Sequence, residues 1–338
     1  MMLTVTLYTR KDCHLCEQAR ADLASLQEKY PHHLVEIDID SDPALLKAYL
    51  VEIPVVEVGP YVLKAPFDKQ KLTMTLGAAG DRRGQLDKLG RVDHHDRIRR
   101  GQSISAADRF MYWVSKHYLA IFNIFMLLYF GLPILAPVLM KAGATLPANV
   151  LYTIYKPLCH QFGFRSFFLF GEQAYYPLQE AGIPNVRTFD EVTGFVDLHN
   201  PSAYSRLQAR QFTGNETVGY KMALCERDMA IYSAIFLFGV IYSLSGRRIK
   251  PLHWILWVLI GLGPIGLDGF SQLFSQMDWA FLSSILPYRE STPLLRLFTG
   301  VLFGFTTAWF AYPYLEESFG ESRQFFIKKF AALNAVNS

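Results

Sequence analysis

The chain has 338 residues, of which 51% are hydrophobic and 19% are charged, and its formal net charge is only +3. So small a net charge argues against nucleic-acid binding, and we expect no nucleic-acid partner. Four cysteines in this length are too few for a disulfide-stapled fold, so each pair must be interpreted separately. A polar first third precedes a strongly apolar remainder, which indicates two domains.

Alternating β-rich runs and helical apolar spacing predict an α/β domain first. In chain order its elements are a strand Leu3–Tyr8, a helix His14–Tyr30, a strand Leu34–Ile39, a short helix Asp42–Leu50, a hairpin of Val55–Val58 and Tyr61–Lys64, and a helix Asp68–Leu76. The segment Met1–Thr9 has neither the basic nor the long apolar region of a secretory signal, so we expect this domain in the cytoplasm.

A Cys-x-x-Cys pair, Cys13 and Cys16, stands where the first strand enters the first helix. Unpaired N–H groups and the helix dipole favour a thiolate there, and Arg10 and Lys11 add positive charge. Cys13 is therefore the expected nucleophile and Cys16, one turn further in, the expected resolving thiol. A metal-binding pair is the alternative, but the chain lacks a second pair of this kind, which favours redox chemistry.

These features resemble the glutaredoxins of the thioredoxin-like group, especially their small Cys-His-Leu-Cys relatives, over residues 3–78. Ile53-Pro54 stands where that family has a cis-proline, so the resemblance implies that Pro54 presents the Ile53 backbone to a substrate. The expected catalytic residues are Cys13, Cys16 and Pro54, and the expected substrate contacts are Arg10, Lys11 and Ile53. The resemblance also implies a thiol or disulfide substrate, with glutathione or a thioredoxin-like reductant as partner. The Gly-Gly-x-Asp-like turn that anchors glutathione in glutaredoxins is missing after Pro54, so glutathione as a cofactor stays open.

The segment Gly77–Ser105 is rich in Gly, Asp and Arg and has little apolar periodicity, as is typical of a linker. We therefore predict a thiol domain at 1–78, a basic linker at 79–105 and an integral membrane domain at 106–338. His94 and His95 lie in this charged linker and are expected to be solvated rather than metal-bound. Ser105 and Asp108 have the spacing of a capping box that opens the next helix.

Four apolar runs are long enough to cross a bilayer: Tyr118–Leu139, Met229–Leu244, Leu252–Phe270 and Leu294–Tyr314. Basic clusters at Arg97–Arg100, Arg247–Lys250 and Lys328–Lys329 fall on one side if both termini are cytoplasmic. We therefore expect a protein of the inner or plasma membrane, in contact with lipid, with a non-cytoplasmic loop at about 141–228. Within that loop, Leu151–Gly171 is too charged for a full span and is predicted to be re-entrant or interfacial.

Polar residues gather at the non-cytoplasmic ends of these spans and are expected to converge. They are Cys159, His160, Gln161, Arg165, Cys225, Arg227, Asp228, Asp268, Gln272, Arg289 and Arg296. The segments that carry them resemble a membrane-protein family called domain of unknown function 2085, over about residues 115–315. Its recurring features are Cys-His-Gln…Arg-Ser-Phe, Cys-x-Arg, Asp-Gly-x-x-Gln and an Arg-containing Thr-Gly helix, and the resemblance implies no reaction.

Several interpretations of this polar cluster are open. Its Asp and Arg side chains either form ion pairs that fix helix packing or bind a ligand; we favour a ligand, because the mixture is richer than packing requires. Cys159 and Cys225 form a disulfide, remain separate thiols, or bind zinc or another metal with His160 and an Asp. Adjacent Cys and His is not a standard zinc spacing, so Cys159, His160 and Cys225 are candidates only and no metal is assigned.

The leading functional hypothesis is a membrane-tethered thiol–disulfide oxidoreductase with Cys13 as its cytoplasmic nucleophile. One alternative is a membrane enzyme that acts on a lipid or anionic substrate at the outer face, with the thiol domain as reductant or sensor. The other is a transporter or scaffold with a regulatory thiol module.

Overall fold

The computed structural model describes residues 2–88, 103–195, 203–277 and 288–337. Two compact units are present. The thiol unit comprises Met1–Tyr118 together with Glu316–Ser338, and the membrane unit comprises Leu119–Leu315. The last segment thus belongs with the thiol domain, whereas the sequence prediction placed all of 106–338 in the membrane domain.

The thiol unit is built on a four-stranded mixed sheet with strand order β2-β1-β3-β4. Its elements are β1 (Leu3–Thr9), α1 (His14–Ser25), β2 (His32–Asp38), α2 (Pro43–Tyr49), β3 (Val55–Val58), β4 (Tyr61–Lys64) and α3 (Lys69–Lys88). Strands β1 and β2 are parallel, and β3 is antiparallel to both β1 and β4. Gly59, at a φ of 57°, supplies the left-handed residue that the tight β3–β4 turn requires.

Helix α3 is longer than predicted and corrects the linker boundary. Leu72, Leu76 and Ala79 are buried at helical spacing against one face of the sheet, in a cluster with residues of α1. This packing outweighs the poor helix propensity of the glycines, so the helix continues to Lys88 and residues 79–88 are not linker. His94, His95 and the Arg97–Arg100 cluster lie outside the described residues.

The opposite face of the sheet carries Tyr8, Val35, Ile37 and Val55, covered partly by α2. The rest of the cover comes from the end of the last helix, α10 (Pro293–Asn337), through Ile327, Ala331 and Ala332. This segment also donates Lys328 to the Glu57 carboxylate at 2.8 Å. A face that a free-standing domain would cover with its own helix is therefore closed here by the far end of the chain.

Arg323 holds the thiol unit together from that same segment. Its guanidinium is 3% exposed and donates to Asp42 at 3.0 Å, to the Ser115 carbonyl at 2.9 Å, and to Glu316. These partners lie on three different segments, so one buried side chain ties α2 to the two long helices. Ser115 lies in α4 (Ala106–Lys141), which Ser105 and Asp108 open with the predicted capping box.

Among the described residues, four helices are long and apolar enough to cross a membrane. They are α4, α8 (Glu226–Leu244), α9 (Trp254–Ser275) and α10. The predicted fold class is confirmed as an α/β domain followed by a helical region with four candidate membrane-spanning helices, although this region also contains a small three-stranded sheet. Helix α9 contains a π-helical stretch at Trp257–Leu262, and α4 contains Pro133 and Pro137.

Helices α8 and α10 pack closely in the membrane unit. A Cβ added at Gly304 would lie 2.2 Å from the carbonyl oxygen of Ile231, and one added at Gly300 would lie 2.9 Å from that of Arg227. Gly300 and Gly304 have the Gly-x-x-x-Gly spacing that lets two membrane helices bring their backbones together.

Between α4 and α8 lies a loop region with its own small elements. These are α5 (Thr145–Tyr155), β5 (Phe168–Leu169), α6 (Phe189–Thr193), α7 (Ala203–Gln211), β6 (Gly214–Asn215) and β7 (Gly219–Lys221). Within the predicted re-entrant segment Leu151–Gly171, the α-helix ends at Tyr155. This helix, α5, has 11 residues, which is too few to span a bilayer and agrees with the prediction that the segment is not a full span.

Candidate functional site

Cys13 and Cys16 are joined by a disulfide at the start of α1. Cys13 is the N-cap residue, and its Sγ accepts the backbone N–H of Cys16 at 3.3 Å. Cys13 is half-buried, whereas Cys16 is 1% exposed. The pair therefore has one sulfur that an external thiol can reach and one that it cannot.

The Ile53-Pro54 peptide bond is cis and lies at the same end of the sheet as this pair. Tyr8 of β1 pairs with Val55 of β3, so Pro54 precedes β3 where β1 ends and leads into Cys13. Ile53 packs against the face of the sheet that α10 covers. Strand register thus places Pro54 at the end of the sheet from which the chain enters Cys13.

The two predicted basic contacts differ in their surroundings. Arg10 donates to Asp40 at 2.8 Å, and both side chains are more than one-third exposed. The positive charge of Arg10 is therefore shared with a carboxylate, which reduces its effect on Cys13. Lys11 is exposed.

In the membrane unit, Glu290 is the centre of a buried ion-pair network. Arg165 binds its carboxylate with two hydrogen bonds, of 2.7 and 2.8 Å, and Arg296 donates to it as well. Gln272 adds a hydrogen bond of 2.8 Å, and Arg296 also reaches Glu226 at 3.1 Å. Burial alone would raise the pKa of Glu290, but the hydrogen bonds and charges of the two arginines outweigh it and lower that pKa.

Asp268 is the centre of a second group beside it. One carboxylate oxygen accepts from Arg289 at 2.7 Å, and the other accepts from Ser291 at 2.8 Å and from Arg227. Both oxygens are therefore engaged, and the ion-pair interpretation of Asp268 gains support over a role as ligand or base. The preference for a ligand in our sequence interpretation finds no support at this carboxylate.

Hydrogen bonds to backbone carbonyls hold together the two segments that carry Cys159 and Cys225. Because Pro137 has no N–H, it leaves the carbonyl of Pro133 without its helical partner, and Ala223 donates to that carbonyl at 3.3 Å. Gln161 then donates to the carbonyls of Ala223 and Tyr152, both at 2.9 Å. The segment after Cys159 and the segment before Cys225 are thereby held side by side.

Lys221 is fully buried and completes this scaffold. Its Nζ donates to the carbonyls of Gln161 at 2.7 Å and Arg210 at 2.6 Å. Burial lowers the pKa of Lys221 to about 7. A neutral amine has two N–H donors, which matches these two carbonyl acceptors.

Cys159, Cys225 and Asp228 form a compact group in which the Sγ and carboxylate atoms all lie within 4.8 Å of one another. Cys159 and Cys225 are free thiols, so of the three alternatives left open by the sequence the disulfide is not formed in this structure. A hydrogen bond from the Cys225 thiol lowers the pKa of Cys159, whereas that interaction and burial raise the pKa of Cys225. His160 is exposed and stacks on Phe162, so it does not join the thiols.

The predicted polar residues thus form two adjacent sets, one scaffold residue and one outlier. The charge set contains Arg165, Arg227, Asp268, Gln272, Arg289 and Arg296; the thiol set contains Cys159, Cys225 and Asp228; Gln161 is the scaffold residue, and the exposed His160 is the outlier. Sequence interpretation missed Glu226, Glu290 and Lys221 as members. The two glutamates could have been found by counting charges in the sequence, because four arginines at a membrane edge require more than one acidic partner.

Two family models match the chain. One, described as a glutaredoxin-like domain (DUF836), matches residues 4–77. The other, described as a predicted membrane protein (DUF2085), matches residues 206–310. The chain is a fusion of these two domains.

Both resemblances predicted from the sequence are therefore confirmed. The DUF2085 match includes Cys225, Asp228, Asp268 and Arg296 but not Cys159. The chain is also similar to uncharacterized protein MJ1492 of Methanocaldococcus jannaschii, with 26% identity over 209 residues, which is 59% of this chain and 93% of that relative. No solved structure matches the chain.

Proposed function

We propose that this membrane-associated protein is a thiol–disulfide oxidoreductase whose reactive pair is Cys13 and Cys16. The observation that carries the proposal is their unequal exposure at a helix N-terminus, with the cis Ile53-Pro54 bond at the same end of the sheet. Accessible and buried sulfurs in this arrangement suit nucleophilic attack followed by internal resolution.

The Cys13 thiolate attacks one sulfur of a substrate disulfide, the substrate S–S bond breaks, and a mixed disulfide forms. Cys16 loses its proton and attacks Cys13 Sγ, which releases the second substrate sulfur. Two electrons have passed from the pair to the substrate, whose sulfurs take up two protons, and the Cys13–Cys16 disulfide remains. A thioredoxin-like dithiol or two glutathione molecules must return the electrons.

Exposed apolar side chains around the pair favour a protein disulfide as substrate. Leu15 lies between the two cysteines, and Leu50 and Val51 precede the cis-proline; all three are exposed, Val51 at 92%. Apolar residues next to a reactive thiol fit a peptide chain better than the charged glutathione molecule. The absence of the glutathione-anchoring turn after Pro54 also favours a protein disulfide over glutathione.

The test is disulfide reduction by the pre-reduced full-length protein in detergent, with an oxidised protein disulfide and a glutathionylated peptide as alternative substrates. We expect the protein disulfide to be preferred, Cys13→Ser to abolish activity, and Cys16→Ser to accumulate a mixed disulfide that mass spectrometry detects. Gln18→Ala, on the exposed side of α1, is the matched control. Full activity of Cys13→Ser would refute the proposal.

We further propose that the protein lies in the inner or plasma membrane with both termini cytoplasmic. Arg247, Arg248 and Lys250 follow α8 and precede α9, which supports an inside location for that connection. In a cysteine-free background, Ser245→Cys should react with an impermeant maleimide only after cells are permeabilised, and Thr145→Cys should react in intact cells. The opposite pattern would invert the topology.

The geometry does not favour an enzyme acting on an anionic substrate, because the arginines that would bind the anion donate to Glu226, Asp268 and Glu290.

A further inference from the structure

We propose that Cys159, Cys225 and Asp228 form a binding site for a divalent metal of borderline softness, such as Zn²⁺. Two thiolates and a carboxylate are ligands that zinc accepts together, and they meet here although Cys159 is 66 residues from Cys225. The site is separate from the Cys13–Cys16 pair and independent of its proposed activity.

The spacing of the ligand atoms is close to what a metal requires. All three lie within 4.8 Å of one another, whereas ligands on a tetrahedral zinc are separated by roughly 3.6–3.8 Å. Closing that difference takes at most about 1 Å of movement of the ligand atoms.

The start of helix α8 prepares two of the three ligands. Cys225 is its N-cap residue and Asp228 is three positions later, so both side chains project from the first turn. The backbone N–H of Asp228 donates to Cys225 Sγ at 3.5 Å, and that of Cys225 donates to Cys159 Sγ at 3.3 Å. Amide donors to both sulfurs are the outer contacts that stabilise metal-bound thiolates.

The carboxylate of Asp228 differs from its acidic neighbours because, among the described residues, no arginine pairs with it. Within the described parts of the chain, its acidic neighbours Glu226, Asp268 and Glu290 each pair with an arginine, but the Asp228 carboxylate has no hydrogen bond or ion pair. A bound cation would supply the counter-charge that this carboxylate lacks among the described residues.

Of the two further ligands considered from the sequence, an Asp and His160, only the Asp, Asp228, lies with the thiols. Three protein ligands leave a fourth tetrahedral position, and because Cys225 and Asp228 are only half-buried, water fills it. A site of this kind keeps one position open for exchange.

The test uses the full-length chain in detergent with Cys13→Ser and Cys16→Ser, so that the other cysteine pair binds nothing. Elemental analysis after exposure to Zn²⁺ and desalting should find about one zinc per chain. Cys159→Ser and Cys225→Ser should each abolish this, and Asp228→Asn should weaken affinity at least about tenfold in competition with a chromophoric chelator. His160→Ala, the adjacent control, should bind normally.

A second measurement needs no variant of the ligands. Zinc should protect Cys225, the half-buried thiol of the pair, from maleimide in the folded protein, a chelator should remove that protection, and Co²⁺ should give the absorption of a tetrahedral thiolate complex. Substoichiometric zinc, a Cys159–Cys225 disulfide in native protein, or loss of zinc only in His160→Ala would each overturn the proposal.

Discussion

Replacing Glu290 with Gln should strongly destabilise the membrane unit. The Glu290 side chain is 1% exposed and that of Arg296 is 3% exposed. The change therefore removes one of the two carboxylates that pair with the buried Arg296 guanidinium and leaves only Glu226. Arg165, Arg296, Glu226 and Glu290 together are neutral; Glu290→Gln leaves them with a charge of about +1, and removing one partner of a buried pair costs about 3–5 kcal/mol. The amide nitrogen would also face donors from Arg165 or Gln272, so shape is preserved but hydrogen bonding is not.

The assay is thermal unfolding in one detergent, with Glu172→Gln as the matched control. Glu172 pairs with Arg187, but these side chains are 56% and 52% exposed, so its loss should cost about 0–1 kcal/mol. Adding Arg165→Gln to Glu290→Gln restores neutrality and should recover part of the lost stability. Equal effects of Glu290→Gln and Glu172→Gln, or no recovery in the double variant, would refute the reasoning.

Three further predictions concern other parts of the chain. After reduction, Cys13 should react with iodoacetamide before Cys16, as followed by mass spectrometry, because only Cys13 is accessible; equal rates would contradict this. Gly304→Ala should lower thermal stability because its Cβ would meet the Ile231 carbonyl, whereas Gly131→Ala has open space, and similar melting points would contradict the packing. Burial lowers the pKa of Lys221 to about 7, so above that pH the unfolded chain binds more protons than the folded one and stability should rise from pH 7 towards 10. Lys221→Met should flatten this rise in melting temperature, and an unchanged slope would show that another group causes it.

Features that depend on neighbours along the chain can be predicted from the sequence. The Cys-x-x-Cys pair at a strand-to-helix junction, the hairpin Val55–Val58 and Tyr61–Lys64, the proline after Ile53 and the four bilayer-length helices all follow from local periodicity, capping and apolar length. Each of these is decided within about twenty residues, the length over which such patterns act.

Contacts between side chains that are distant in the sequence could not be predicted in this way. That Arg323 binds Asp42, that Glu290 accepts from Arg165, and that Asp228 rather than His160 lies beside the two thiols depends on the rotation and depth of packed helices. A sequence pattern gives the face of a helix but not its partner. The physical reason is that burial makes an unpaired charge costly, so the packing that satisfies all charges together selects the pairs, and no single segment specifies that arrangement.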